Sequence, residues 1–342
     1  MLVDKSIRKI INLSTMKTLV KTSLQFARSV TNMSVPLISD PLTFNNARKI
    51  RDTNTVFSKP NFVSFDAFGT LYVPKKPVHI QYHEIASEQF GIDKSAESIK
   101  QSFPVIHNQL LQEFPNYGKD SKEITSTDQW WSELIVRLFD LKHYSQDQDS
   151  LDVCNSLINR FKSSKGYHLY EDVIPTLSKL KENDITVLVS SNSDPRVYDI
   201  LESLGLDQYI DNVYISYHLS HEKPSKKFFD LVANSQISNI GSLPADKRSS
   251  FLENCWHVGD SHDKDYVGSV RSGWNGVLID RDVKSGYLNH PMPSPEAESP
   301  SCMTGPAGDI RLGNSSRPAQ IIADNRVIVS DLTQILSLFG LD

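Results

Sequence analysis

Apolar positions along the chain follow two regimes. Between residues 77 and 165 they recur at helical spacing. Val78, Ile80, Tyr82, Ile85, Ala86 and Phe90 line one stripe that Gly91 ends. Ser95 to Phe114 reads as a second helix. Thr127-Asp128-Gln129 opens a third, carried on by Trp130, Trp131, Leu134, Ile135, Leu138 and Phe139, and Asp149 to Phe161 reads as a fourth. Outside this block, short β-rich runs alternate with helical ones. The runs Phe62–Phe65, Ile185–Val189, Val213–Ile215, Trp256–Val258 and Gly276–Ile279 are continuous rather than alternating, as strands buried on both faces are. Helices are expected over 173–181, 195–204 (with Asp194 as N-cap and Pro195 at its first position), 226–233 and 264–271. Arg326–Val329 reads as a late strand, and Asp331 as the cap of a closing helix over 332–339. The alternation predicts an α/β fold: a doubly wound, Rossmann-like parallel sheet with right-handed crossovers, carrying a helical cap inserted after the first strand.

Composition changes this picture at two places. Residues 282–320 hold Pro291, Pro293, Pro295, Pro300 and Pro306 among many Ser and Gly, which predicts a disordered loop inside the core domain. Residues 1–60 carry ten Lys or Arg against three Asp and no Glu, a sum of +7. The formal net charge is −5, so the remainder carries −5 − 7 = −12. In residues 1–35 Asp4 is the only acid, and Lys5, Arg8, Lys9, Lys17, Lys21 and Arg28 lie among Ser, Thr, Ile and Leu. That composition suits a mitochondrial transit peptide, with a basic tail of a cytoplasmic protein as the alternative. Fused to a reporter, residues 1–35 are expected to direct it to mitochondria. The expected organisation is thus 1–35 leader, 36–60 linker, 61–76 with 166–342 core, and 77–165 cap. The overall negative charge gives no footprint for nucleic acid. No apolar run reaches the roughly 18 residues of a membrane span. Cys154, Cys255 and Cys302 form neither a disulfide framework nor a zinc motif; Cys255 reads as a small buried residue.

Four stretches carry chemistry. In Asn61-Phe62-Val63-Ser64-Phe65-Asp66-Ala67-Phe68-Gly69-Thr70-Leu71 a buried strand ends on Asp66, at the sheet edge where α/β folds bind ligands, and Gly69 permits the turn that follows. Val189-Ser190-Ser191-Asn192 ends another strand with hydroxyls before a helix start, which suits an anionic oxygen. Lys223, in Ser220-His221-Glu222-Lys223-Pro224-Ser225, lies just before a helix, where an ammonium can bridge a carboxylate and a phosphoryl group. Trp256-His257-Val258-Gly259-Asp260-Ser261-His262-Asp263-Lys264-Asp265 ends a strand in Gly-Asp, with a further acid five residues on. Carboxylates gathered at a strand end call for a cation, and an oxygen-only donor set suits Mg2+.

In this order the stretches resemble the four motifs of the haloacid dehalogenase-like (HAD) hydrolase superfamily, across residues 61–284 and 323–340. The helical insert sits where that superfamily carries its cap. Phe114-Pro115-Asn116-Tyr117-Gly118, Gln129-Trp130-Trp131 and Ser191-Asn192-Ser193-Asp194-x-Arg196 look closer to one eukaryotic branch, the haloacid dehalogenase-like hydrolase domain-containing proteins, the third of that series in particular. The resemblance implies a Mg2+-dependent phosphatase of a small phosphorylated metabolite. Asp66 would be the nucleophile, forming an aspartyl-phosphate. Ser191 and Lys223 would hold the transferring oxygens, and Asn192, Gly69 and Thr70 would line the substrate. Asp66, Asp260, Asp265 and the backbone carbonyl of Phe68 would hold the metal, with Asp263 a substitute for Asp265.

One position departs from that pattern. Phosphatases of the superfamily usually carry an Asp two residues after the nucleophile, an acid/base worth about 10²–10⁴-fold. Here that position is Phe68. Two further expectations follow: a non-catalytic binding protein on the retained fold, or a halide-releasing hydrolase, which needs no such acid. The kept Gly259-Asp260 argues against the last. Trp130, Trp131, Tyr117, Phe103, His79, His83 and His107 are the cap residues that could face the cleft, although aromatics at helical spacing are commonly core.

Overall fold

The computed structural model describes residues 57–241, 243–281, 319–323 and 325–341. The expected leader, nearly all of the linker, and the loop over 282–320 (save 319 and 320) lie outside the described residues. No helix among the described residues is long and apolar enough to cross a membrane.

Seven strands form the main sheet in the order β5-β4-β1-β6-β7-β9-β8. They are β1 (Phe62–Phe65), β4 (Thr186–Ser191), β5 (Asn212–Ile215), β6 (Cys255–Gly259), β7 (Asn275–Ile279), β8 (Gln320–Ala323) and β9 (Arg326–Val329). The first six in that order are parallel, and β8 pairs antiparallel with β9. Strand β1 is central. The chain moves from it to β4 and β5 on one side and later to β6, β7 and β9 on the other. Such a reversal of winding opens a crevice at the carboxyl end of the central strand. The doubly wound sheet is as the pattern of continuous apolar runs predicts. Phe62, Val63 and Phe65 are at most 1% exposed, because both faces of β1 are covered. Val63, Phe65, Val187, Val189 and Val258 join one hydrophobic cluster. Phe62, Leu188, Tyr214, Cys255 and Trp274 join another, built with Phe228 and Phe229.

Outside the cap the helices are α5 (Val173–Glu182), α6 (Arg196–Ser203), α7 (Ser216–Leu219), α8 (Lys226–Asn239), α9 (Arg248–Leu252), α10 (Gly268–Arg271) and α11 (Gln334–Leu338). A π-helical turn, His262–Val267, precedes α10, so the single helix expected over 264–271 is in fact two unlike pieces. Spacing in sequence does not distinguish an i+4 ladder from an i+5 one; here the Tyr266 N–H donates to the Ser261 carbonyl five residues back. Strands β2 (Tyr72–Pro74) and β3 (Tyr167–Leu169) also have no forerunner in the apolar pattern. They are three residues each and pair antiparallel with each other.

The insertion consists of α1 (Val78–Phe90), α2 (Ala96–Glu113), α3 (Thr127–Phe139) and α4 (Gln148–Arg160), between β2 and β3. Local chemistry sets their ends. Ser95, Ser126 and Asp147 each accept the backbone N–H three residues on, and Gly91 closes α1 in the left-handed conformation. Trp130, Leu134, Ile135 and Leu138 of α3 are fully buried. Trp130 Nε1–H donates to the Phe114 carbonyl, which makes it cap core rather than cleft. His83 Nδ1 pairs with the Lys94 carbonyl, and Phe103 is buried against Tyr82.

His107 packs against Phe103, Trp130 and Trp131. Burial pushes its pKa down to about 4. The folded value lies below the unfolded one, so its contribution to stability is whole above about pH 6.5 and is lost as pH falls toward 4. His107→Phe is expected to remove up to about 3 kcal/mol of the stability lost between pH 7 and pH 4. Urea melts of both proteins at the two pH values measure this. An unchanged pH dependence counts against it.

Candidate active site

Three strand ends and one loop converge at the carboxyl edge of β1. Asp66 is the first residue beyond β1, and its backbone N–H donates to the Val258 carbonyl of β6 at 2.8 Å. Asp260 is the first residue beyond β6, and Ser191 the last of β4. Lys223 precedes α8. Its Nζ donates to Asp66 Oδ1 at 2.7 Å and to Asp265 Oδ1 at 2.5 Å, and its side chain is only 2% exposed. Asp66, Asp260 and Asp265 each offer a carboxylate oxygen within 4.8 Å of the others. Residues from three separated stretches thus meet, Asp66, Lys223 and the pair Asp260 and Asp265, while Ser191 stands at the same sheet edge at the end of β4. Asp263 does not join them; its side chain points to solvent, 83% exposed.

Glycines make the approach possible. Gly69 sits at φ +82°, and a Cβ there would lie 2.3 Å from Asp260 Oδ2. A Cβ on Gly259 would lie 2.2 Å from Asp265 Cγ. Real Cβ atoms do not come so close, so each carboxylate occupies space that a side chain on either glycine would take.

The charges do not balance. Three carboxylates face one ammonium. Burial opposes the Lys223 ammonium, but Asp265 and Asp66 outweigh it and hold its pKa above the ordinary lysine value. Burial also opposes ionised Asp265, yet Lys223 and His257 outweigh it and hold this carboxyl well below the usual range. Asp66 goes the other way. Burial raises it more than Lys223 lowers it, and Asp265 adds to the rise. Asp260 is raised furthest, by burial and then by Asp66 and Asp265. A divalent cation fits this donor set on two counts: oxygen-only ligands within reach of one point, and carboxylates in excess of the cations present.

Asp260→Asn separates binding from stability. With no metal, the folded Asp260 pKa lies above its unfolded value near 3.8, so stability is lost as pH rises from there through the raised value. The amide removes that loss. The variant is expected to melt at a higher temperature than wild type in EDTA at pH 7, and to bind Mg2+ more than about tenfold more weakly by calorimetry. A lower melting temperature in EDTA would contradict this account of the site.

The remaining expected residues take other positions. Asn192 clamps the lysine loop: its Nδ2–H donates to the Lys223 carbonyl and its Oδ1 accepts the Lys223 N–H, both at 2.8 Å. Thr70 is fully buried; its carbonyl accepts from Arg281, which also forms a two-pronged pair with Asp172. Phe68 is half-buried, its ring edge-on to Tyr72 at 6.1 Å and to Tyr167 at 6.5 Å. Of the cap candidates, Trp131 reaches the core: its Nε1–H donates to Asp194 Oδ2 at 2.8 Å.

Behind the carboxylates lies a polar chain that the sequence reading missed. His257, fully buried in β6, approaches Asp265 Oδ1 through Nε2 at 2.9 Å and Ser64 Oγ through Nδ1 at 3.2 Å. Ser64 Oγ lies 2.7 Å from Ser190 Oγ. Burial lowers the His257 pKa and keeps the ring neutral. Since Asp265 is ionised and can only accept, Nε2 carries the proton. The signal was present in sequence: Ser64, Ser190 and His257 are polar residues inside runs otherwise buried on both faces.

Comparison with known proteins agrees with this geometry. The profile of the haloacid dehalogenase-like hydrolase family matches residues 61–273. The Saccharomyces cerevisiae protein YMR130W is 32% identical over 242 residues, covering 70% of this chain and 78% of its own. Haloacid dehalogenase-like hydrolase domain-containing protein 3 of Bos taurus is 27% identical over 219 residues, covering 64% and 80%. Among solved structures, the HAD hydrolase YfnB of Bacillus subtilis, bound to magnesium, superposes with a TM-score of 0.50 at 14% identity, over 83% of this chain and all of that one. A family profile spanning more than half the chain, laid over a doubly wound sheet at whose carboxyl edge Asp66, Lys223 and Asp260 gather, makes this protein a member of the haloacid dehalogenase-like hydrolase family, distantly homologous to the domain-containing protein 3 group.

Proposed function

We propose that this hydrolase is a Mg2+-dependent phosphatase of small phosphorylated metabolites. The observation that carries the reading is the buried meeting of Asp66, Lys223, Asp260 and Asp265. A dehalogenase working without metal has no use for a carboxylate as strongly disfavoured as Asp260. Asp66 is the nucleophile: one carboxylate oxygen attacks phosphorus, the ester bond to the alcohol oxygen breaks, and water later hydrolyses the aspartyl-phosphate. Lys223 neutralises part of the charge on Asp66 and is near enough to donate to a phosphoryl oxygen. Ser191, at the end of β4, is the second donor. Asp66 and Asp260, with the Phe68 carbonyl, hold Mg2+. Asp265 is the outer member of the set, because Lys223, His257 and the Ser261 N–H already occupy its oxygens. Bound there, Mg2+ offsets repulsion between carboxylates and phosphate.

Position 68 offers no proton to the leaving oxygen. The reading therefore expects turnover to fall steeply as the leaving alcohol becomes more basic. The test is phosphate release over a broad panel of phosphomonoesters with Mg2+ and with EDTA. Release in Mg2+ alone supports it; no release from any member leaves the second reading, a binding protein on a retained catalytic fold, which Phe68 favours. Halide release from 2-haloacids without metal would overturn both. The basic residues 1–35 support a mitochondrial location for this activity.

A further inference from the structure

Asp194 and Arg196, which follow Ser191-Asn192 in the chain, take no part in the mechanism above, yet they are built into the seam between core and cap. Arg196 Nε and Nη2 both donate to the Asp194 carboxylate, at 2.9–3.1 Å. The guanidinium lies 3.7 Å from the centre of the Trp131 ring, and Trp131 Nε1–H donates to the same carboxylate. The Asp194 carboxylate and the Trp131 ring thus hold the fork in one orientation. Nη1 takes no part in these contacts, and no acceptor for it lies among the described residues.

Aromatic rings connect this fork to the nucleophile. Phe68, two residues beyond Asp66, meets Tyr72 and Tyr167. Tyr167 meets Phe161, Phe161 meets Tyr82, and Tyr82 meets Phe103, which neighbours Trp131. Tyr72 also meets Tyr167 directly, ring centre to ring centre at 5.1 Å, so the row of rings runs unbroken from the loop of Asp66 to the fork. Tyr72 and Tyr82 are each 3% exposed. Neither hydroxyl has a hydrogen-bond partner among the described residues. Neither oxygen is among the buried side-chain atoms left without a partner, so each hydroxyl still meets solvent and is free to donate to a ligand oxygen placed there.

We infer that Arg196 Nη1, with the Tyr72 and Tyr82 hydroxyls, forms the subsite for the leaving group, and that the substrate is a phosphomonoester whose alcohol carries a second anionic group, a carboxylate or a further phosphate. Asp194 cancels the charge of the arginine, so the pair does not attract anions at long range. It offers directed N–H donors from a side chain 14% exposed, where a charged acceptor gains more than in open solvent. The inference rests on the reading of Asp66 as the phosphoryl-accepting residue.

The test uses ω-phosphorylated alkanoates of two to five carbons, each against the ω-hydroxyalkyl phosphate of equal length, and alkanediol bisphosphates against the same monophosphates. Turnover is measured with the wild-type protein, and affinity by calorimetry with Asp66→Asn in Mg2+. At one chain length the anionic member is expected to bind at least about tenfold tighter, the worth of one charge-assisted hydrogen bond. Which of the two series shows the preference tells a carboxylate from a phosphate. The preference is expected to disappear in Asp194→Asn/Arg196→Gln, which removes both charges so that neither is left stranded. Arg196→Lys, which keeps the charge and loses Nη1, serves if the double variant does not fold. No preference at any length, or one that survives these variants, overturns the inference and leaves the pair a fastening between cap and core. Anion preference in Asp66→Asn with no turnover by wild type would instead keep the subsite and reject the phosphatase.

Discussion

Asp66→Asn is expected to abolish phosphate release, a loss of at least about 10³-fold, since a nucleophile acting as a unit with its partners accounts for most of the chemistry. The amide matches the carboxylate in shape and can still accept from Lys223, whose second bond, to Asp265, does not depend on position 66. The fold should therefore survive, and a circular dichroism spectrum matching wild type separates lost chemistry from lost structure. A second measurement targets the intermediate. Wild type quenched in acid during turnover should carry a phosphoryl group labile to hydroxylamine, and the variant none. Turnover within tenfold of wild type would mean that Asp66 is not the nucleophile. In that case His257 does not replace it, because that ring is fully buried behind Asp265.

Lys223→Met is expected to damage stability as severely as Asp66→Asn damages chemistry. Among the described residues the lysine is the one cation bonded to two buried carboxylates, and removing one partner of a buried pair costs about 3–5 kcal/mol. Here Asp66 and Asp265 both lose their ammonium while Asp260 stays beside them. The metal-free variant should unfold at much lower urea than wild type. Added Mg2+ should restore more stability to it than to wild type, since the cation meets a site with one more uncompensated charge. Equal effects of Mg2+ on the two proteins would show that the ion does not bind among these carboxylates.

The two variants probe the parts of the site that were most legible in sequence. Asp66 directly follows one β-rich run and Asp260 follows another by a single glycine, and a strand end is a position that such a pattern locates well. Lys223 is marked by what surrounds it, a Pro-Ser helix start. The preference for Asp265 over Asp263 rested on the family resemblance alone, because both fall in one short acidic stretch. The π-helical turn places Asp265 against Gly259 and leaves Asp263 in solvent. Asn192 shows the reverse case: its position in the sequence suggested a contact to substrate, and its side chain is committed to the Lys223 backbone.

The cap residues were the least legible. Seven aromatic and His side chains at helical spacing could not be sorted, since the same stripe serves a helix packed on its neighbours and one facing a cleft. Packing sorted Trp130 and Trp131, adjacent in sequence and on one helix. Trp130 closes the cap interior, and Trp131 reaches across to Asp194.

By itself the sequence determined the order of elements, the parallel sheet and the identity of the acids at its edge. These depend on local periodicity and on residue types adjacent to it. The tertiary structure alone decided which acid faces which cation, that two carboxylates share one lysine while Asp260 stands beside them, that a neutral His257 supports the outermost of them, and that an arginine fork stands at the cap seam. Those facts depend on distances between residues far apart in the chain, and on burial, which sets how strongly each charge is felt.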